Sequence, residues 1–342
     1  MLYLTDPENL GEALGDEPAY RADQLREWLY STPVLTVDEM TNLPQALRET
    51  IRDDLWPFTV DVMQTADRGR TIKWLFRCTD GSPIESVLMG YSKRTTLCIS
   101  SQVGCAMGCT FCATGQFGFD RHLDAGEIVA QVAYANAYLA AHPLRNSPGR
   151  VTNVVFMGMG EPLANYDNTI ESIRRMTDVM GMSARSITVS TVGFVPGMRK
   201  LIDEPWPVYL AVSLHSTIPS ERTKLVPINA RYPISDVIAA AQDYYEAKGR
   251  RISLEWTLIA GENDSELEAE GLARIARQIS AHVNVIALNP TPLSTDKPPD
   301  KDHVDRFVAT LERHGANVTL RDTRGQDIDA ACGQLRLRAE TT

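Results

Sequence analysis

The sequence predicts an α/β fold, a partial (β/α) barrel preceded by a small N-terminal helical accessory domain. From residue 95 onward, short apolar runs of strand length alternate with amphipathic segments of helix length, and that alternation implies right-handed crossovers and a parallel sheet clad in helices. Before residue 95 the pattern differs, with helix-spaced apolar positions followed by strands alone. The length of 342 residues suits a core domain of about 200–250 residues with a smaller accessory unit. The division is expected at 1–90 for the accessory unit and 91–342 for the barrel core.

Within the accessory unit, 20–30 and 37–55 carry apolar side chains at helix spacing, the second broken at Pro44, while 71–78 and 83–91 read as strands. The barrel units then follow in order. Strand 95–100 precedes helix 125–141 across a loop, 151–159 precedes 166–180, and 186–190 precedes a short helix near 198–202. Next, 208–214 precedes 234–248, 252–259 precedes 265–280, 283–288 precedes 303–314, and 318–321 supplies a last strand. Ligands of such sheets gather at the carboxyl ends of the strands. Two loops with proline, 142–150 and 289–300, read as parts of the active surface rather than as linkers.

Composition excludes several classes. With 43% hydrophobic and 23% charged residues the chain is neither disordered, collagenous nor a disulfide-dense secreted scaffold. It contains no apolar run of the about 18 residues a bilayer span requires. Its first residues carry no basic region and soon meet Asp6 and Glu8, so no secretory leader is expected and a cytoplasmic location is. The balance of 34 basic against 44 acidic residues, net −10, argues against a surface that grips nucleic acid all round, yet leaves room for local patches. Arg68-Gly69-Arg70 and Lys93-Arg94 are such patches, readable either as RNA-facing or as a solvated face.

Six cysteines in a reducing compartment read as metal ligands or catalysts before they read as disulfides. Three fall in Gly104-Cys105-Ala106-Met107-Gly108-Cys109-Thr110-Phe111-Cys112, a C-x3-C-x2-C loop after the first barrel strand. Its glycines permit tight turns, so three thiolates can wrap one compact metal centre from one side. A zinc site would want a fourth ligand from elsewhere, and packed cysteines are the other alternative. After the next strand comes Gly158-Met159-Gly160-Glu161-Pro162-Leu163. Leu163 stands where a dinucleotide fingerprint needs its third glycine. Glu161 can instead accept hydrogen bonds from an ammonium group. Further polar groups sit at later strand ends: Ser190, the run Ser213-Leu214-His215-Ser216, and Asn289.

The three-cysteine loop resembles the signature of the radical S-adenosylmethionine superfamily. That resemblance implies a [4Fe–4S] cluster on Cys105, Cys109 and Cys112, whose open iron is chelated by S-adenosylmethionine. It also implies cofactor contacts from Gly160, Glu161, Ser190, Ser213, Leu214, His215 and Asn289. One-electron cleavage of the sulfonium then yields a 5′-deoxyadenosyl radical, hard chemistry that the protein orients and shields.

Five further stretches narrow the resemblance to the RlmN/Cfr family of adenine-carbon methyltransferases across nearly the whole chain. They are Tyr20-Arg21-Ala22-Asp23-Gln24-Leu25, Glu39-Met40-Thr41-Asn42-Leu43-Pro44, Thr96-Leu97-Cys98-Ile99-Ser100, Leu225-Val226-Pro227-Ile228-Asn229 and Ala331-Cys332-Gly333-Gln334-Leu335. The resemblance implies that Cys332 is methylated by one S-adenosylmethionine, and that a second generates the radical that activates the S-methyl group. Cys98 then resolves the protein–RNA thioether through a disulfide with Cys332, and Glu85 accepts the proton. Without the resemblance, Cys98 would read as core packing, Glu85 as a strand-surface carboxylate and Cys78 as an idle thiol. The implied partners are 23S rRNA and tRNA, with the N-terminal unit 1–90 and the local basic clusters as the RNA-facing candidates, and a reducing donor such as flavodoxin or ferredoxin, with a monomer expected. The sequence Gly160-Glu161-Pro162-Leu163 resembles the C2-methylating branch. Methylation at C8, a radical enzyme acting on another substrate, and a zinc-stabilised RNA-binding module are the alternatives.

Overall fold

A computed structural model of the protein describes residues 1–291, 294–321 and 325–335. Pro292, in the second proline-rich loop, lies outside the described residues. A ten-stranded sheet organises the fold. Its spatial order is β1 (Phe58–Ala66), β2 (Thr71–Cys78), β3 (Pro83–Gly90), β4 (Thr95–Cys98), then β7 (Asn153–Phe156), β8 (Ile187–Thr191), β9 (Tyr209–Ser213), β10 (Ser253–Leu258), β11 (His282–Ala287) and β12 (Asn317–Leu320). The pair β5 (Gln102–Gly104) and β6 (Phe119–His122) forms a separate hairpin around the cysteine loop.

Strands β1 to β4 run antiparallel to one another, and every pairing from β4 through β12 is parallel. Because β1 and β12 end the row, the barrel is partial, as expected. The antiparallel strands continue the barrel sheet across residue 90, so the accessory unit has two parts: a helical segment, 1–57, and three strands that widen the sheet.

The described residues also form ten α-helices, α1 (Tyr20–Arg26), α2 (Gln45–Ile51), α3 (Ala113–Gln116), α4 (Ala125–Ala141), α5 (Tyr166–Arg174), α6 (Val195–Lys200), α7 (Pro219–Leu225), α8 (Ile234–Lys248), α9 (Glu266–Gln278) and α10 (Lys301–Arg313), with short 3-10 and π turns between them. Helix α4 starts at a capping box in which Asp124 and Glu127 satisfy each other's backbone N–H groups. It is buried along most of its length, because it fills the space between the sheet and the N-terminal helical segment. Tyr3 stacks on Trp56 at 5.1 Å, and Trp56 meets Tyr134 of α4 edge-on at 5.3 Å. Arg175 donates to the Tyr3 carbonyl (2.9 Å) and Glu171 (2.7 Å), fixing the same segment against the end of α5. Among the described residues no helix is long and apolar enough to cross a membrane.

The helical segment is strongly acidic. Residues 1–57 hold twelve Asp and Glu against four Arg and no Lys, a net of −8 within the chain's −10.

Candidate active site

The carboxyl ends of β7 to β10 and the cysteine loop enclose a cavity of about 930 Å3. Cys105, Cys109 and Cys112 line it, together with Gly160, Glu161, Ser190, Ser213 and His215. The cysteine loop is closed by short contacts that need glycine. Gly104 adopts φ +73°, and a Cβ there would collide with the Gly118 carbonyl, which accepts the Cys105 N–H at 2.7 Å. A Cβ on Gly115 would come within 3.1 Å of the Cys109 backbone nitrogen.

The three thiols sit in a poor environment for bare thiolates. Burial pushes Cys105 up to about 12 and raises Cys109, to which repulsion from Cys112 and Cys105 adds. Burial also raises Cys112, opposed by the Gly115 and Thr114 N–H groups. All three line the same cavity. A donor set of three soft sulfurs lining a cavity with polar strand ends fits an iron–sulfur cluster with room beside it for a ligand.

Glu161 holds the rim together. Its carboxylate accepts the Val192 N–H at 2.9 Å and the Leu163 N–H at 3.1 Å. Burial nevertheless pushes its pKa up to about 7. Gly160, at φ +107°, lies against Gln102, whose Oε1 accepts the Glu161 N–H at 2.8 Å. His215 is buried at φ +60° and accepts the Thr257 N–H on Nδ1 at 3.0 Å. Burial, with the Arg222 charge added, lowers its pKa to about 3, so it is a neutral part of the wall. Leu214 offers the cavity no side chain: it packs in the barrel core, its N–H donates to Glu255 O and its carbonyl accepts from Arg222 Nε.

A second, narrower pocket adjoins the first, and Met157, Ile286, Arg321 and Cys332 line both. Cys98 and Asn289 line the second. Asn289 binds the Cys332 carbonyl through Nδ2 at 3.0 Å, so it seats the cysteine segment rather than the first cavity's contents. Cys98 is opposite Val87 in the β3–β4 register. Burial pushes its pKa to about 12, with nearby Cys332 raising it further and Arg321 opposing. The segment 325–335 crosses the mouth of the barrel. Ala113 N donates to Gly333 O at 2.8 Å and Thr114 Oγ1 to Leu335 O at 2.9 Å, tying it to the residues after Cys112.

Glu85 lies outside the lining of both cavities. It shares the β3 face of Val87 and Met89, which pack with Cys98, Ala330 and Leu335. Lys73 on β2 pairs with Glu85 at 3.1 Å, both nearly fully buried, and also reaches the Asp329 carbonyl at 3.5 Å. Sequence reading passed over Lys73 and Arg321. Arg321 directly follows the last strand, and the strand-end rule that selected Ser190 applies to it equally; an arginine near a chain end otherwise reads as solvated. Its pKa is raised first by Cys332, which reports how close the two groups lie.

A partial barrel with three thiols on the loop after its first parallel strand, facing polar ends of the following strands, defines a radical S-adenosylmethionine enzyme. The Radical SAM superfamily model matches residues 99–270, and the model of the ribosomal RNA large subunit methyltransferase N-terminal domain matches 9–55. A protein of Rhodococcus erythropolis named probable dual-specificity RNA methyltransferase RlmN is 46% identical over 93% of this chain and 89% of its own. One of the same name from Thermobifida fusca is 46% identical over 96% and 93%. The crystal structure of a radical SAM methyltransferase from Sphaerobacter thermophilus superposes with TM-score 0.92 at 46% identity, covering 98% of each chain. The chain belongs to the RlmN family of radical S-adenosylmethionine methyltransferases, whose cofactors are a [4Fe–4S] cluster and S-adenosylmethionine.

Proposed function

We infer that this protein is an RNA methyltransferase that places a methyl group on C2 of an adenine in 23S rRNA, and on the adenine beside the tRNA anticodon. The observation that carries the reading is the shared wall of the two cavities: Cys332 lines both, facing the cluster thiols on one side and Cys98 on the other. A thiol so placed can take a methyl group in one cavity and deliver it in the next. An sp² ring carbon is too weak a nucleophile to take a methyl from a sulfonium directly, and a thiolate is not.

When bound, the cluster and S-adenosylmethionine supply one-electron cleavage to a deoxyadenosyl radical. Cys105, Cys109 and Cys112 would hold the cluster; Gly160, Glu161, Ser190, Ser213 and the His215 wall would line the cofactor's place. Cys332 carries the methyl group, which becomes the bridge between its sulfur and the base. Glu85, kept beside the Lys73 ammonium, takes the proton from the substituted carbon. The Cys98 thiolate attacks the Cys332 sulfur, so the disulfide forms as the C–S bond breaks with its electron pair on the methylene carbon, which takes up a proton to become the methyl group of the base. Two S-adenosylmethionine molecules are consumed per methyl transferred, one for Cys332 and one for the radical. A flavodoxin- or ferredoxin-like donor, a monomeric state and a cytoplasmic location complete the reading. In this division of labour, 91–342 carries the cluster, the cofactor and the cysteine chemistry, and 1–90 is the accessory unit, whose last strand also supplies Glu85.

The test is incubation of anaerobically reconstituted protein with reductant, S-adenosylmethionine and an unmodified 23S rRNA fragment, followed by nucleoside mass spectrometry. The reading requires 2-methyladenosine. Formation of 8-methyladenosine would move the protein to the other regiochemistry, and neither product with an intact cluster would refute RNA as substrate. Cys98→Ala should accumulate a covalent protein–RNA species on denaturing gels, because the thioether forms but is not resolved.

A further inference from the structure

The acidic chain carries a basic island beside the Cys98–Cys332 cavity. The turn between β1 and β2 holds Arg68 and Arg70, the turn between β3 and β4 holds Lys93 and Arg94, and all four side chains are exposed. The two turns are neighbours. Gly90 N donates to Arg70 O at 2.8 Å, and Tyr91 N to Arg94 O at 2.8 Å. Among the described residues none of the four cations forms an ion pair, whereas other cations of these strands do: Arg77 with Asp61, Lys73 with Glu85. Asp67, the acidic residue of the first turn, is turned toward the Thr71 hydroxyl at 2.5 Å.

Three links join this island to the reaction cavity. Tyr91 lines that cavity, and the Arg94 guanidinium lies over its ring at 4.4 Å. Thr71, next to Arg70, faces Gly325 at the start of the cysteine segment, where a Cβ would come within 3.1 Å of its methyl group. Met89, one residue before the second turn's anchor, lines the cavity with Cys98 and Cys332. The backbone of the first turn is also held in an uncommon conformation, with Asp67 and Arg68 at φ +53° and +59°. Side-chain-bearing residues adopt that region seldom, and it clusters at functional sites.

We propose that the turns 67–70 and 91–94 form a phosphate-binding rim that seats the RNA backbone flanking the target adenine over the Cys98–Cys332 cavity. The inference rests on RNA being the substrate. Unpaired arginine and lysine suit phosphate oxygens, which Arg engages in bidentate fashion. The remainder of the molecule reinforces the choice of surface. The helical segment 1–57, at net −8, repels phosphate, so the polyanion is drawn to the rim and the target base is presented at the cavity. Splaying that base out of its stack costs free energy that backbone contacts of this kind supply.

The experiment uses full-length reconstituted protein and a fluorescently labelled 23S rRNA fragment, with binding followed by anisotropy between about 50 and 200 mM salt. The variant R68Q/R70Q/K93Q/R94Q should bind at least about tenfold more weakly. Its log–log salt dependence should flatten by about 3 to 3.5, since each of the four phosphate contacts contributes roughly 0.7–0.9 to the slope. The charge-keeping variant R68K/R70K/K93R/R94K should keep the wild-type salt slope and bind more tightly than the neutralised variant, and iron and sulfide content should match in all three. Wild-type affinity and slope in the neutralised variant would overturn the rim. So would normal RNA binding combined with lost reduction by an acidic electron-transfer protein but not by dithionite, which would give the island to a protein partner. If the wild-type protein itself neither binds nor methylates the RNA, it is the substrate reading that fails.

Discussion

His215 shows how one buried side chain sets the protein's acid tolerance. Its folded pKa of about 3 lies below the ordinary value of 6.5, so between these limits the unfolded chain binds a proton that the folded chain refuses. Stability is therefore intact above about pH 6.5 and is lost as pH falls toward 3, by about 2 kcal/mol between pH 7 and 5. His215→Asn removes the titrating group and keeps both an acceptor for the Thr257 N–H and a residue tolerant of φ +60°. Urea titrations of the metal-free protein should show a smaller loss from pH 7 to 5 in the variant; equal losses would mean that His215 is not the group. The Lys73–Glu85 pair, nearly fully buried at 3.1 Å, predicts a different outcome. Lys73→Met should cost about 3 kcal/mol, because it strips a cation from a carboxylate already out of water. Adding Glu85→Gln should recover part of that cost, and a strictly additive double variant would show that the two residues are not coupled.

At the scale of elements, α4 joins the N-terminal segment to the barrel through a contact only glycine permits. A Cβ on Gly126 would collide with the Tyr3 carbonyl, the group that also accepts from Arg175 at 2.9 Å. Gly126→Ala should destabilise the protein by about 1–3 kcal/mol through overpacking. Hydrogen exchange should rise across residues 1–10 while the strands of the barrel stay protected; unchanged exchange there would mean that the segment yields without undocking.

The same elements explain what could be read from sequence. Helices α4 and α8 fell where predicted, at 125–141 and 234–248, because long periodic segments carry strong signals. Strand β1 was missed entirely: it is an edge strand, largely exposed, and its bulge between Val60 and Val62 breaks the two-residue period. Strands β5 and β6 span three and four residues, too short for periodicity to register. The expected helix 166–180 is α5 followed by a wider π turn at Arg175–Val179, which composition does not distinguish from α-helix. The cysteine loop was legible because its spacing is local; the contact of Lys73 with Glu85 and the place of Arg321 between two cavities depend on strands brought together only by folding.

For the whole molecule, the segment carrying Cys332 is the element on which distant parts converge. It hydrogen-bonds the residues after Cys112 through Gly333 and Leu335, β2 through the Asp329 carbonyl, and the end of β11 through Asn289 and the Cys332 carbonyl. Gln334 adds a bond to Pro290 O at 3.1 Å. Two of these five anchors sit at the end of the cysteine loop, whose buried thiols at raised pKa are compensated once deprotonated by metal. Losing the cluster must therefore loosen the segment as well as the loop, whereas α1, α2 and the aromatic contacts of Tyr3 and Trp56 share none of these bonds. Chelation of the reconstituted protein should raise hydrogen exchange in 326–335 by about tenfold or more and leave residues 20–51 unchanged. Exchange that rises equally everywhere would mean that the cluster supports the global fold. Exchange unchanged in 326–335 would mean that the β2 and β11 anchors alone seat Cys332, leaving cluster occupancy and thiol placement independent.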